Sequence, residues 1–532
     1  MSRVGAPGAR SQVTAGNIVA RITGLLRVLA VGGALGTTFL GNTYQTANLV
    51  SNLLFELLAA GILSSVLVPP FVALLDAGRR EDAERLAGAV LGVAVAVLGA
   101  VTLVGLAARP WIMRALTVAV QDPAVRTAEV RLGAFLLWLF LPQVLFYAVG
   151  AVATAVLNSA RRFAAAAFAP VANNVAVITT MVVFRVMHDG GPGGVGLDLP
   201  LSQRLVLAVG TTAGVVVMAA VPMVALWRAG LRLRPRWDPS RPALRALGRA
   251  GMWGVVYLAL AQVLVATTLV LANRVEGGVV AYHIAFTVFL LPFAVLAHPV
   301  MTTLYPRLAA DAHASAWSRF AATLGEGART ISFLVLPAAA LMVALAGPGL
   351  RLVELGALDA GGTTLVARAL AAYAIGLIGY AGLQLLTRAS YATGDTRTPA
   401  LVNLGVAAGG SALMVVLFAS VSGTGRIVAL GVAHSVAMVG GALTLGVLLR
   451  RRVAAPWPVG ATLGRSLAGA VVAGVVARIV SVAVPGGGRT GAALAVALGG
   501  AAGAGAFLLS AWALRAPELG ALRRAVMAET PA

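Results

Sequence analysis

Residues 86–107 read LAGAVLGVAVAVLGAVTLVGLA, with no charged side chain between Arg85 and Arg109. A helix of about 20 mainly apolar residues crosses a hydrocarbon layer of about 30 Å, so this stretch reads as a membrane span. Comparable stretches lie on both sides of it. They run near 12–35, 43–75, 132–157, 163–187 and 203–227, then near 247–272, 279–305, 322–346, 365–388, 398–421 and 426–449, and finally near 459–484 and 490–514. Counted together they predict an all-α polytopic membrane protein with about 14 transmembrane helices. The connecting segments are short, and none is long enough for a soluble domain.

Composition agrees. Of the 532 residues 59% are hydrophobic and only 11% are charged, against about 25% charged in an ordinary soluble domain. Mean hydropathy is +0.92. A soluble chain this apolar would lack a polar skin, which excludes a soluble enzyme, a disordered chain and a nucleic-acid binder. The absence of cysteine excludes disulfides, thiolate catalysis and Cys-ligated metals. Segment 1–17 has Arg3 and Arg10 but no apolar run ending in a cleavage site, so it does not read as a signal peptide.

The formal charge of +22 comes from 40 basic residues, all arginine, against 18 acids. In a membrane protein basic residues concentrate in cytoplasmic loops. With the N-terminus inside, 24 arginines fall in cytoplasmic segments and 10 outside. That bias predicts an even number of spans with both termini cytoplasmic. The loop carrying Arg109, Arg114, Arg126 and Arg131 is the misfit.

The densest arginine run, Arg228 to Arg249, also holds Pro235, Pro239 and Pro242. It is expected to link two six-span lobes, 1–228 and 249–452, through residues 229–248, with 453–532 adding a final helix pair and a tail. A weak repeat agrees. Pro170 and Asn174 follow one basic loop, Pro399 and Asn403 follow another, and the offset is 229 residues. Six spans per half imply one shared orientation and a pseudo-twofold along the membrane normal.

Ionisable side chains are costly in hydrocarbon and usually face a cavity or a partner. Arg21 and Arg27 lie deep in the first span, six apart and so about 120° around the axis. They read as a cationic site for an anionic head group, or as snorkelling side chains. Glu56 is the one acid in the middle of an apolar stretch. It reads as a counter-ion of Arg27, a proton-coupling carboxylate or a buried neutral acid. Asn42, Gln45, Asn48, Asn52 and Glu56 fall at helical spacing on one face of the second span. That stripe suggests a hydrated cavity, or interhelical hydrogen bonding. His283, His298 and His434 are weaker signals. No catalytic, nucleotide-binding or metal-binding motif is present, so the sequence points to a transporter rather than an enzyme, with no cofactor.

These residues resemble the MurJ/MviN family of lipid II flippases, within the multidrug/oligosaccharidyl-lipid/polysaccharide exporter superfamily. ARITGLLR (Ala20 to Arg27) is similar to the family's first-helix signature, and NLLFELLAAGILSS (Asn52 to Ser65) to its second-helix pattern. LNSARRFAAAAFAP (Leu157 to Pro170) and RASYATGDTRTP (Arg388 to Pro399) resemble two of its loops. The resemblance implies two six-helix lobes around a central cavity, with the last two helices forming a groove for a polyprenyl tail. It implies flipping of a lipid-linked peptidoglycan precursor from the inner to the outer leaflet by alternating access. Arg21 and Arg27 match the family's two first-helix arginines. The family's cavity acid falls at Asn42, its second-helix arginine pair at Phe55 and Glu56, and its helix-eight arginine at about Thr287. The expected substrate-contacting set is therefore Arg21, Arg27, Asn42, Asn48, Asn52, Glu56, His283 and Thr287. Expected partners are the lipid-linked oligosaccharide, membrane lipids and proteins of cell-wall synthesis. Two other readings are an ion-coupled exporter of small cations or drugs using Glu56, and a non-transporting paralogue.

Overall fold

The structure is a computed structural model that describes residues 7–56, 68–188, 196–238, 242–486 and 488–520. These residues form α-helices and no strand beyond one isolated bridge, Leu355 to Leu358. Helices α1 (Pro7–Leu35), α2 (Phe39–Phe55), α3 (Val68–Asp76), α4 (Arg80–Leu116), α5 (Pro123–Phe140) and α6 (Gln143–Ser159) come first. They are followed by α7 (Ala164–Met187), α8 (Leu201–Arg228), α9 (Pro242–Ala272), α10 (Gly278–Pro292), α11 (His298–His313) and α12 (Trp317–Arg351). The chain continues with α13 (Ala360–Ala374), α14 (Leu377–Ala392), α15 (Arg397–Ser420), α16 (Gly425–Val453), α17 (Gly460–Ala483) and α18 (Gly488–Ala513).

Twelve helical segments are long and apolar enough to cross a membrane, and the bent pair α13–α14 makes a thirteenth. The remaining expected span, 43–75, runs through residues 57–67, which lie outside the described residues. The misfit arginine loop is mostly helix. α4 continues to Leu116 and α5 starts at Pro123, so Arg109 and Arg114 sit in the last turns of α4, Arg126 in the first turn of α5 and Arg131 in its middle. Asp122 caps α5 by accepting from the N–H groups of Ala124 and Val125, and Pro123 occupies the first turn, where no N–H is needed.

Two compact units divide the chain. One comprises Met1–Val280 with Leu355–Leu358, and the other Ala281–Glu354 with Asp359–Ala532. Helix α9, expected to open the second lobe, groups with the first unit. Its C-terminal end is bonded to α2, as described below. The arginine-rich segment 231–238 is likewise no free linker. It lies along α4, where the Arg236 N–H donates to the Gly88 carbonyl at 2.8 Å and the Arg232 N–H to Glu84 at 3.1 Å. A Cβ at Gly92 would come within 2.1 Å of the Arg236 carbonyl oxygen, so only glycine admits this approach.

In the second unit the span 365–388 is broken. α13 and α14 meet at 47° across Ile375 and Gly376. The break frees carbonyls, and the Ser435 hydroxyl of α16 donates to that of Ala372 at 2.8 Å. A Cβ at Gly376 would lie 2.5 Å from the Ser435 Cα, so the glycine lets α16 come close enough. A second irregularity follows Pro292, where Phe293–Ala297 form a π-turn between α10 and α11.

The two loops singled out by the repeat close alike. The Arg162 N–H reaches back to the Leu157 carbonyl at 2.9 Å, with Arg161 left-handed at φ 60. The Asp395 N–H reaches back to the Ser390 carbonyl at 3.0 Å, with Gly394 left-handed at φ 77. Both are left-handed helix closures. In the second loop Asp395 also accepts from the Thr398 N–H at 3.0 Å and pairs with Arg452. Its motif therefore fixes the entry into α15.

Candidate substrate site in the first unit

Helix α1 presents the two arginines differently. Arg21 is exposed and Arg27 half-buried. Helix α1 is fixed by α7, whose Asn174 Nδ2 donates to the Ala20 carbonyl at 3.2 Å and to Thr23 Oγ1, one turn before Arg27, at 3.0 Å. The Asn of the Pro-Asn repeat thus orients the first-helix signature. The Arg27 guanidinium lies within electrostatic reach of the phenols of Tyr44 on α2 and Tyr147 on α6. Tyr44 is buried, and its hydroxyl pairs with Thr211 Oγ1 at 2.7 Å. Tyr147 packs on Phe55, with ring centroids 5.1 Å apart.

The polar stripe of α2 divides by depth. Asn42 is 0% exposed. Its Nδ2 donates to the Val275 carbonyl at 2.8 Å and its Oδ1 accepts from the Val279 N–H at 2.9 Å. An amide closed at both ends has no face left for a ligand, so Asn42 ties α2 to the α9–α10 turn rather than lining a cavity. Gln45 is buried beside it. Asn48 and Asn52, farther along, are half-buried, and Glu56 is exposed. Glu56 accepts from Gln262 Nε2 of α9. Among the described residues it forms no ion pair with Arg21 or Arg27, so the expected Glu56–Arg27 pairing is absent. Arg27 is therefore not paired with Glu56 and stands within electrostatic reach of two phenols. A guanidinium with free donors holds phosphate or pyrophosphate oxygens by bidentate hydrogen bonds.

His283 and Thr287 belong to the second unit. They lie one turn apart on α10, where Thr287 Oγ1 donates to the His283 carbonyl at 2.8 Å. His298 meets Arg388 at 3.3 Å. His434 is buried among Phe286, Phe289 and Tyr373, with the Tyr373 ring centroid 5.1 Å away.

Three residues of the first unit escaped the sequence reading. Gln262 carried a signal, as the lone amide of its span. Tyr147 carried none, because an aromatic in an apolar run reads as packing. Glu129 seemed to lie in a loop between Arg126 and Arg131. It is fully buried on α5, with Oε1 3.4 Å from the Thr43 hydroxyl and Oε2 without a partner among the described residues.

With this geometry in hand, comparison with known proteins is decisive. The sequence profile of the family "Lipid II flippase MurJ" matches residues 31–496. The chain belongs to the MurJ family. A probable lipid II flippase MurJ of Rhizobium meliloti (strain 1021) is 30% identical over 414 residues, covering 76% of this chain and 74% of the relative. The lipid II flippase MurJ of Burkholderia cenocepacia is 27% identical over 396 residues, covering 73% of this chain and 74% of that one. Among solved structures, a lipid II flippase MurJ in an inward closed conformation matches with a TM-score of 0.74 at 16% identity, covering 94% of this chain and 97% of its own. A multidrug resistance MATE family transporter of the MOP superfamily, in an inward-facing conformation, matches with a TM-score of 0.65 at 14% identity, covering 82% of this chain and 94% of its own. The fold is thus that of MurJ and its exporter relatives, and this MurJ-family chain is a multi-pass membrane protein.

Proposed function

We propose that the protein moves a lipid-linked cell-wall precursor, a lipid II-like polyprenyl pyrophosphate glycolipid, from the inner to the outer leaflet for peptidoglycan synthesis. The family match across residues 31–496 carries this reading. Transport proceeds by alternating access, with both termini in the cytoplasm. The six-span halves 1–228 and 249–452 are its working parts, and 453–532 supplies the added helix pair. In the first unit Arg27 binds the pyrophosphate, Arg21 draws the anion in from the more exposed turn, and Tyr44 and Tyr147 border the Arg27 guanidinium. Asn48, Asn52 and Glu56 line the same helix edge. The resemblance leads one to expect arginines at Phe55, Glu56 and Thr287, and this chain has none there. This member therefore depends more heavily on Arg27.

The test is rescue of bacterial cells depleted of their own lipid II flippase, with lipid II read at the outer surface. The native chain is expected to rescue and Arg27→Ala to fail, while Arg465→Ala behaves as native. Equal loss from the two substitutions, at equal membrane levels, would overturn the assignment of Arg27. No rescue by correctly inserted native protein would overturn the substrate.

A further inference from the structure

A cavity of about 480 Å³ opens in the second unit where α12 ends, α13 begins and α17 passes. Three guanidiniums line it, those of Arg351, Arg368 and Arg478, against the single carboxylate of Glu354. That carboxylate is already engaged, accepting from the Thr363 hydroxyl at 3.2 Å. Arg489 donates to the Glu354 backbone carbonyl, bringing a fourth cation to the rim. Arg368 reaches Thr424 Oγ1 at 3.3 Å, a neutral partner. Among the described residues neither Arg351 nor Arg478 forms an ion pair. The first turn of α13 also lines the cavity, and its Gly362 N–H is taken by the capping Asp359 at 2.7 Å, so the positive charge there comes from the arginines.

The position of Arg478 supplies the second half of the argument. Val471, Val475 and Val482 stand with it on one row of α17, and all three are more than half exposed. An exposed valine row on a spanning helix faces hydrocarbon. A guanidinium in such a row is costly unless an anion meets it at the head-group level. Thr363 and Thr364 add hydroxyls, and the remaining walls are alanines, Gly347 and Val343, which suit the first carbons of an acyl or prenyl chain. Cationic donors at the end of three helices, small apolar walls and an edge toward lipid together describe a head-group pocket.

We infer that this cavity is a second anion site, which takes the phosphate of a membrane lipid head group. It uses none of the residues assigned to transport above, and it stands whether or not the flippase reading holds. Two lipids share the chemistry, an anionic bilayer phospholipid and a polyprenyl pyrophosphate. A cavity of this volume holds a head group rather than a whole glycolipid.

The experiment is native mass spectrometry of the delipidated full chain, titrated separately with phosphatidylglycerol, a polyprenyl pyrophosphate and phosphatidylcholine. The triple variant Arg351→Gln/Arg368→Gln/Arg478→Gln is compared with the equally discharged control Arg79→Gln/Arg80→Gln/Arg85→Gln. At least one anionic lipid is expected to bind about tenfold more weakly to the first variant, with the control like native. Preference for phosphatidylglycerol identifies a bilayer lipid, and preference for the pyrophosphate identifies a polyprenyl lipid. Should the triple variant fold poorly, Arg478→Gln alone, at an exposed position, is expected to weaken the same binding severalfold. Equal binding by the triple variant and the control overturns the inference. So does phosphatidylcholine binding as tightly as the anionic lipids.

Discussion

Helix α2 of the first unit and the ring cluster of the second unit are both buried, but different forces hold them. On α2, Asn42, Thr43, Tyr44, Thr46 and Ser51 are all nearly inaccessible, and between them they reach α5, α8 and the α9–α10 turn. Asn42 holds the α9–α10 turn, Thr43 approaches Glu129, Tyr44 meets Thr211, Thr46 meets Asn273, and Ser51 donates to the Phe140 carbonyl at 2.7 Å. In the second unit Phe286, Phe289, Tyr373 and Tyr380 pack ring on ring around His434. Hydrogen bonds fix register because they are directional, whereas ring contacts tolerate small shifts. Lipid tails are as apolar as the rings, so burial gives little drive to helix association inside a membrane. The first unit is thus specified by polar pairs and the second by shape.

The sharpest way to break this contrast is Asn42→Ala. It strands the Val279 N–H and leaves the Val275 carbonyl only its bond from the Gly278 N–H, and a loss of about 2 kcal/mol is expected. Thermal unfolding of the purified protein in detergent reads it directly. A melting temperature unchanged from native would show that α2 does not depend on its amide. Asp395→Ala comes next, at about 1 kcal/mol, through loss of the cap on α15 and of the Arg452 pair.

The same aspartate gives a pH signature. Burial raises its pKa, but the Thr398 backbone and side chain and the Arg452 guanidinium outweigh that and hold it below the ordinary value. A lowered folded-state pKa means that the ionised form stabilises the fold at neutral pH. That contribution begins to fade below about pH 4, the ordinary aspartate range, and is lost as pH falls through the lowered value. Asp395→Asn should flatten the acid limb of the stability curve, and an identical acid limb would contradict the pairing.

His434→Phe is expected to change stability by less than about 1 kcal/mol in either direction. It replaces a ring by a ring, and Nδ1 has no hydrogen-bond partner among the described residues. A large loss would mean that the second unit also hangs on a polar contact. The smallest effect is expected for Glu56→Gln, which keeps a hydrogen bond to Gln262 and should leave rescue intact. Loss of transport with normal insertion would revive the reading of Glu56 as a coupling acid.

The same contrast explains what was legible in the sequence. Spans were readable because hydrocarbon demands long apolar runs, and these runs fall on helices. Their interruptions were not. The Gly376 break and its repair by Ser435 depend on a partner 59 residues away. Arg27 stood out because a charge in an apolar run is conspicuous. Glu129 was hidden because two nearby arginines made its surroundings look like a loop. The α2 stripe was seen, but sequence alone could not divide it into a locked end at Asn42 and an open end at Glu56. That division follows from where α9 happens to end.

The bond between Arg236 and Gly88 has a practical side. Residues 231–238 look, by composition, like the natural place to insert a reporter or protease site. They are moored to α4, so an insertion there would peel a backbone strand from its glycine berth. The exposed pair Ser422–Gly423, between α15 and α16, has no such mooring and is the better place to cut or to label.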